Sequence, residues 1–151
     1  MSDFVETTSE LFSERLCDLL QENKSSVAAL AGELSLNPSA IYKWMRKVSV
    51  PSFENALILA DNFGCSLDYL FGMKEIDVQY TPHSPFMPFC EHFERILQEK
   101  DVSEYRLVRM TGISRSKITA WRKGESLPSM HSLIVVASAL DMTLDALVGR
   151  D

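Results

Sequence analysis

The chain has 151 residues, 46% of them hydrophobic, and a formal net charge of -6, which leaves room for one ordinary domain or two of about 60 residues. That apolar content argues against disorder, and no apolar run nears the roughly 18 residues that span a bilayer. The net acidity has the wrong sign for contact with phosphate unless the charge is unevenly spread. The N-terminus, MSDFVETTSE, lacks the basic segment and apolar core of a signal peptide, so a cytoplasmic protein without a membrane anchor is expected. Cys17, Cys65 and Cys90 are odd in number and lack CxxC spacing, which predicts reduced thiols rather than a disulfide or metal framework.

A first helix is predicted from about Thr8 to Asn23, with Leu11, Phe12, Leu16, Leu19 and Leu20 as its buried stripe. On its other side Glu6, Glu10, Glu14, Asp18 and Glu22 recur every four residues, a like-charge face costing a few tenths of a kcal/mol per pair. This strip is either solvated surface partly relieved by Arg15, or a docking face for a basic surface of a partner or of the second half. A second helix follows over Val27 to Leu34. Asn37 then caps a third, with Pro38 at its first position, where a missing N–H costs nothing. Pro51 and Ser52 open a fourth helix with Ala56, Leu57, Leu59, Ala60 and Phe63 inward, and Gly64 stops it. Ser66 caps a fifth, Leu67 to Phe71, closed by Gly72.

Residues 74–88, KEIDVQYTPHSPFMP, carry prolines and no helical period. They read as an extended linker, although Ile76, Val78 and Tyr80 alternate as a short strand would. Beyond the linker the plan repeats, with helices near Met87 to Glu99, Ser103 to Thr111, Ser114 to Lys123, Ser129 to Leu140 and Thr143 to Val148. Setting Phe12 against Phe89 aligns the halves without a gap, at roughly 18 identities in about 62 positions. The matches include Ser26/Ser103, Leu30/Leu107, Ile41/Ile118, Trp44/Trp121, Pro51/Pro128, Asp68/Asp145 and Gly72/Gly149. The chain is therefore expected to be all-α, with domains at 1–73 and 89–151 and a join at 74–88.

The second copy carries the clearest motif. Ser103 is placed to cap a helix containing Leu107 and Met110, and Gly112 supplies positive φ before Ile113. Ser114 caps the next helix, in which Ile118 and Trp121 face inward and Arg115, Ser116, Thr119, Ala120, Arg122 and Lys123 stay outward or on the flank. The succession from Ser103 through Gly112, Ser114, Trp121, Gly124 and Pro128 to Leu144, Asp145, Leu147 and Gly149 resembles the helix-turn-helix domain of the phage-repressor and Cro family, also called the xenobiotic response element family. The resemblance implies two tandem five-helix domains that bind double-stranded DNA, each placing its third helix in the major groove.

Carried over residue by residue, the reading positions are Arg115, Ser116, Thr119 and Ala120 in the second copy and Pro38, Ser39, Tyr42 and Lys43 in the first. Lys117, Arg122, Lys123, Arg46 and Lys47 are expected to clamp the DNA backbone. Arg115 suits a bidentate contact to guanine. The first residue of helix two, often Gln in this family, is Val27 in one copy and Glu104 in the other; Glu104 is expected to repel phosphate, with Arg106 and Arg109 nearby. Ser35 stands where the second copy has Gly112, which predicts a mildly strained turn.

Charge is distributed to match. Lys24 to Lys47 holds Lys24, Lys43, Arg46 and Lys47 against Glu33, and Lys100 to Lys123 is more basic still against Asp101 and Glu104. Trp44 and Trp121 are expected in the core rather than stacked on bases. His83, His92 and His131 have no ligand spacing, and no nucleophile sits in a catalytic setting, so neither metal, cofactor nor enzyme activity is expected. Two functions stand: a sequence-specific transcriptional regulator, most simply a repressor, or a protein-interaction or antitoxin-like module in which one or both copies do not read DNA. An oligomer interface through helix five, with Tyr69 and Phe71 or Ala146 and Val148, is a further expectation.

Overall fold

Short polar side chains decide where most of the helices begin. In the computed structural model, which describes residues 2–75 and 87–150, the first unit carries α1 (Ser2–Glu22), α2 (Val27–Leu34), α3 (Pro38–Met45), α4 (Phe53–Phe63) and α5 (Leu67–Leu70). Ser26, Asn37, Ser52 and Ser66 each accept a hydrogen bond from an otherwise orphaned amide of the helix that follows, an interaction worth about 1 kcal/mol per cap. The second unit carries α6 (Phe89–Glu99), α7 (Glu104–Thr111), α8 (Arg115–Lys123), α9 (Met130–Ala139) and α10 (Leu144–Val148). Ser103, Ser114, Ser129 and Thr143 cap the last four in the same way. The chain is all-α among the described residues, and it divides into two compact units, Met1–Tyr80 and Thr81–Asp151. Most of the predicted linker, including Ile76, Val78 and Tyr80, lies outside the described residues.

Each core is built on the contact between the first helix and the third. In the first unit Phe12, Leu16, Leu30, Ile41 and Trp44 are buried together with Leu59, Leu70 and Phe71. Phe12 meets Trp44 edge-on at 6.1 Å and stacks on Phe71 at 4.9 Å. In the second unit Phe93, one turn further along its helix, takes over the edge contact to Trp121 at 6.3 Å, and Phe89 stacks on Phe93 at 5.3 Å. Both tryptophans are core residues, as expected from their spacing to Ile41 and Ile118. The second unit also buries a charge: Arg150 donates from Nη1 to Asp145 Oδ1 at 2.7 Å, while its amide bonds the Asp145 carbonyl at 2.8 Å. This ties the end of α10 into the core.

Several expectations need correction. The first helix begins at Ser2 rather than near Thr8. Leu11 is exposed rather than buried. Leu11 lies at the rim of its stripe, against Gly72, where an added Cβ would come within 2.8 Å of the Leu11 Cβ. Phe71 and Val148 are fully buried in their own domains, so they are not available to an oligomer interface. Tyr69 is roofed by the Arg15 guanidinium, 3.8 Å from its ring centroid. Arg15 therefore stacks on α5 and donates to the Lys74 carbonyl; among the described residues it makes no ion pair with the acidic strip of its own helix.

The two inter-helix turns have the same backbone and different residues. Ser35 and Gly112 both end their helices in the left-handed region, at φ 55° and 74°. An L-residue there carries a cost of about 1 kcal/mol that glycine does not. Ser35→Gly is therefore expected to stabilise the first domain by about 0.5–1 kcal/mol, and Gly112→Ser, where a Cβ meets nothing within 4 Å, to destabilise the second by a similar amount. Calorimetric melting of both variants checks this, and a Ser35→Gly variant that melts no higher would refute it.

Candidate nucleic-acid interface

Burial of Ile41 and Trp44, and of Ile118 and Trp121, fixes which face of the third helix of each domain points away from the core. On α3 this leaves Pro38, Ser39, Tyr42 and Lys43 exposed, with Arg46 and Lys47 exposed at its end. Tyr42 keeps 52% of its surface. Asn37 Oδ1 accepts the Ser39 amide at 2.9 Å, so the first turn is capped without using the Ser39 hydroxyl. Lys47 takes positive φ, 66°, and the Val48 amide returns to the Lys43 carbonyl at 3.0 Å. Lys43, Arg46 and Lys47 make no ion pair among the described residues.

On α8, Arg115, Ser116, Lys117 and Lys123 are exposed, and Thr119, Ala120 and Arg122 are half-buried. The predicted positions of each copy thus lie on its third helix or, for Arg46 and Lys47, just beyond its end, and three of those on α8 are only partly exposed. The two helices differ in what lies behind them. Arg122 donates from Nε and Nη2 to the two carboxylate oxygens of Glu94 on α6, each at 2.8 Å, and from Nη1 to Glu104 Oε2 at 2.6 Å. Glu104 Oε1 accepts from the Thr119 hydroxyl and, at 3.3 Å, from Arg115 Nε. Glu104 was expected to face phosphate with Arg106 and Arg109 beside it. Instead it is engaged by α8, and Arg109 reaches the Tyr105 hydroxyl.

Glu94 was not singled out from the sequence. A signal for it does exist there: the first-copy counterparts of Glu94, Glu104 and Arg122 are Cys17, Val27 and Met45, so three uncharged residues are exchanged together for two acids and a base. Both carboxyls are held below their ordinary value of 4.5, Glu94 chiefly by the hydrogen bonds of Arg122 and Glu104 chiefly by that of Thr119, against the upward pull of burial. The same contacts, Glu94 first, hold the Arg122 guanidinium above its ordinary value. No group of three or more His, Cys, Asp or Glu among the described residues is arranged to hold a metal ion, and no described helix is long and apolar enough to cross a membrane.

Residues 92–150 match the family model of the Cro/C1-type helix-turn-helix DNA-binding domain, and residues 18–70 match a helix-turn-helix family model. The chain belongs to the Cro/C1-type helix-turn-helix family, in two tandem copies. No curated protein and no solved structure gives a significant match to it. Each Cro/C1-type domain here has the helix-turn-helix at α2–α3 or α7–α8, and the second backs it with an ionic network.

That network and His131 are expected to make the second domain sensitive to acid. His131, in the first turn of α9, is held below 6.5 by burial, so below that value the unfolded chain binds a proton that the folded domain resists, and stability falls as pH falls. Glu94 and Glu104 have folded values below 4.5; their contribution is fully present above 4.5 and is lost as pH drops through the lowered values. Denaturant melts from about pH 7 to pH 3 are expected to show both stages. His131→Asn should remove the first alone. Arg122→Met, which installs the first domain's residue, should blunt the second and cost about 1–2 kcal/mol at neutral pH, the upper end for a partly exposed bidentate pair. An unchanged acid limb in Arg122→Met would refute the assignment.

Proposed function

We propose that this protein is a sequence-specific transcriptional regulator, most simply a cytoplasmic repressor, that reads the DNA major groove with α3 and α8. One observation carries the reading: both Cro/C1-type domains expose, at the start and along one side of their third helix, a cap-anchored set of polar and basic side chains with no acidic residue on the helix itself. Arg115 and Lys43 contact base edges, helped by Ser116, Thr119 and Ala120 or by Pro38, Ser39 and Tyr42; Lys117, Lys123, Arg46 and Lys47 serve the phosphates, while Arg122, expected to do the same, is held by Glu94 and Glu104. Because one chain supplies two unlike readers, it acts as a covalent pseudo-dimer on two unlike half-sites about one helical turn apart.

Lys43 on α3 and Arg46 and Lys47 just after it, which make no ion pair among the described residues, favour a working first reader. The sequence suggests the reverse, since helix two of the first copy holds no cation. A second reading, an interaction module or antitoxin-like regulator, is favoured by Glu10, Glu14 and Asp18, exposed along α1 and without an ion pair among the described residues, which suit a basic partner surface.

Fluorescence anisotropy of the full chain against duplexes from its own promoter region separates the two. Selective binding is expected, with a log–log salt slope of roughly -4 to -7 for about 4 to 8 phosphates. Arg115→Ala and Lys43→Ala should each weaken it by about tenfold. Loss with only one of them would restrict reading to that domain, and no selective binding would point to an operator elsewhere or to a protein partner.

A further inference from the structure

Glu104 stands at the first position of α7, and only 15% of its side chain is exposed although its helix lies at the surface. What covers it is the reading helix. Its Oε1 takes the Thr119 hydroxyl proton and the Arg115 Nε–H at 3.3 Å, while Arg122 Nη1 holds Oε2 at 2.6 Å. Arg122 is itself fixed from behind by both oxygens of Glu94. The carboxylate cannot swing outward without giving up three donors, and the start of α7 adds the favourable end of a helix dipole. Arg115, by contrast, keeps 77% of its side chain exposed, and its two terminal nitrogens have no protein partner among the described residues.

We infer that Glu104 is a positioning residue for sequence specificity: it holds Arg115 by Nε so that the terminal fork of the guanidinium is presented to the O6 and N7 of a guanine. This rests on the proposed entry of α8 into the major groove. An exposed pair at 3.3 Å adds little to stability, so its consequence is orientation, since a guanidinium bonded at Nε loses rotation about its long stem and keeps both terminal NH2 groups for a bidentate contact. The carboxylate also cancels charge next to Arg115 and Arg122, lowering attraction to phosphate of any sequence. Selectivity is raised at the expense of bulk affinity. The first domain has no counterpart, since Val27 and Tyr42 occupy the positions of Glu104 and Thr119.

The test starts from the full chain and a randomised duplex pool, from which the wild-type protein enriches its site; binding to that site and its single-base variants is then measured for wild type, Arg115→Ala, Glu104→Ala, Glu104→Gln and the Glu104→Ala/Arg115→Ala pair. Arg115→Ala identifies the guanine it reads. At that base pair alone, Glu104→Ala should relax the preference about fivefold or more while binding to unrelated duplex becomes tighter. Glu104→Gln, which keeps an acceptor for Arg115, should restore part of the preference. In the Arg115→Ala background, loss of Glu104 should change base preference no further, a result that general weakening of the fold would not give. Should Glu104→Ala fail to fold, Glu104→Gln carries the comparison, with tighter non-selective binding and a partial loss confined to the same base pair. A Glu104 variant that shifts all sequences equally overturns the inference and leaves the regulator standing. An unenriched pool overturns both.

Discussion

A tryptophan packed edge-on against a phenylalanine of the first helix holds each domain's third helix in place. Trp44 on Phe12 and Trp121 on Phe93 lie on the inner side of helices that are eight and nine residues long, too short to persist alone in water. Because the inner side is committed, the outer side has no freedom of its own: turning α8 about its axis would have to expose Trp121 and Ile118 together. The outward set of polar and basic side chains is thus a consequence of core packing. The phenylalanine can move by one helical turn between the copies, from Phe12 to Phe93, because what the third helix needs from the first is an aromatic edge at that depth rather than a particular position in the sequence.

Behind the same outer surface the two domains solve a different electrostatic problem. The first leaves Lys43, Arg46 and Lys47 without acidic partners among the described residues and puts Cys17, Val27 and Met45 where the second has Glu94, Glu104 and Arg122. Unpaired cations attract phosphate from any sequence. The second domain instead commits most of the Arg122 donors to carboxylates and holds Arg115 by one edge. A charged group that must meet a base in one orientation gains from being held there before contact, because the rotamer entropy is then already spent. The two domains therefore present similar shapes with unlike degrees of preorganisation.

Much of this was legible in the sequence because its local signals agree with one another. Asn37, Ser66, Ser103 and Ser114 cap the helices they precede, and the repeat placed Ile41 with Ile118 and Trp44 with Trp121 in equivalent core sites. Side-chain partners were less legible. Glu104 and Arg122 are 18 residues apart and Glu94 and Arg122 are 28 apart, so no helical spacing joins them, and an ion pair formed across three helices leaves no periodicity. Comparing the copies with each other would have exposed it, since Cys17, Val27 and Met45 change together. Leu11 was misjudged for a related reason: a helical wheel gives the side of the helix but not where the neighbouring helix ends, and Leu11 lies at that edge, over Gly72.

The net charge of -6 looked like an objection to DNA binding, and the placement of the acids answers it. Glu10, Glu14 and Asp18 are exposed on α1, whereas Glu94 and Glu104 are turned onto Arg122. An acid bonded to an arginine beneath the outer surface of α8 subtracts from the long-range attraction of an anion but orients the cations that remain, while an acid on the far side of a helix is screened within about 8–10 Å at physiological salt. The sum of charges therefore says little about what a phosphate would meet on approaching α3 or α8. What matters there is which cations lack a partner, and Lys43, Arg46, Lys47, Lys117 and Lys123 make no ion pair among the described residues.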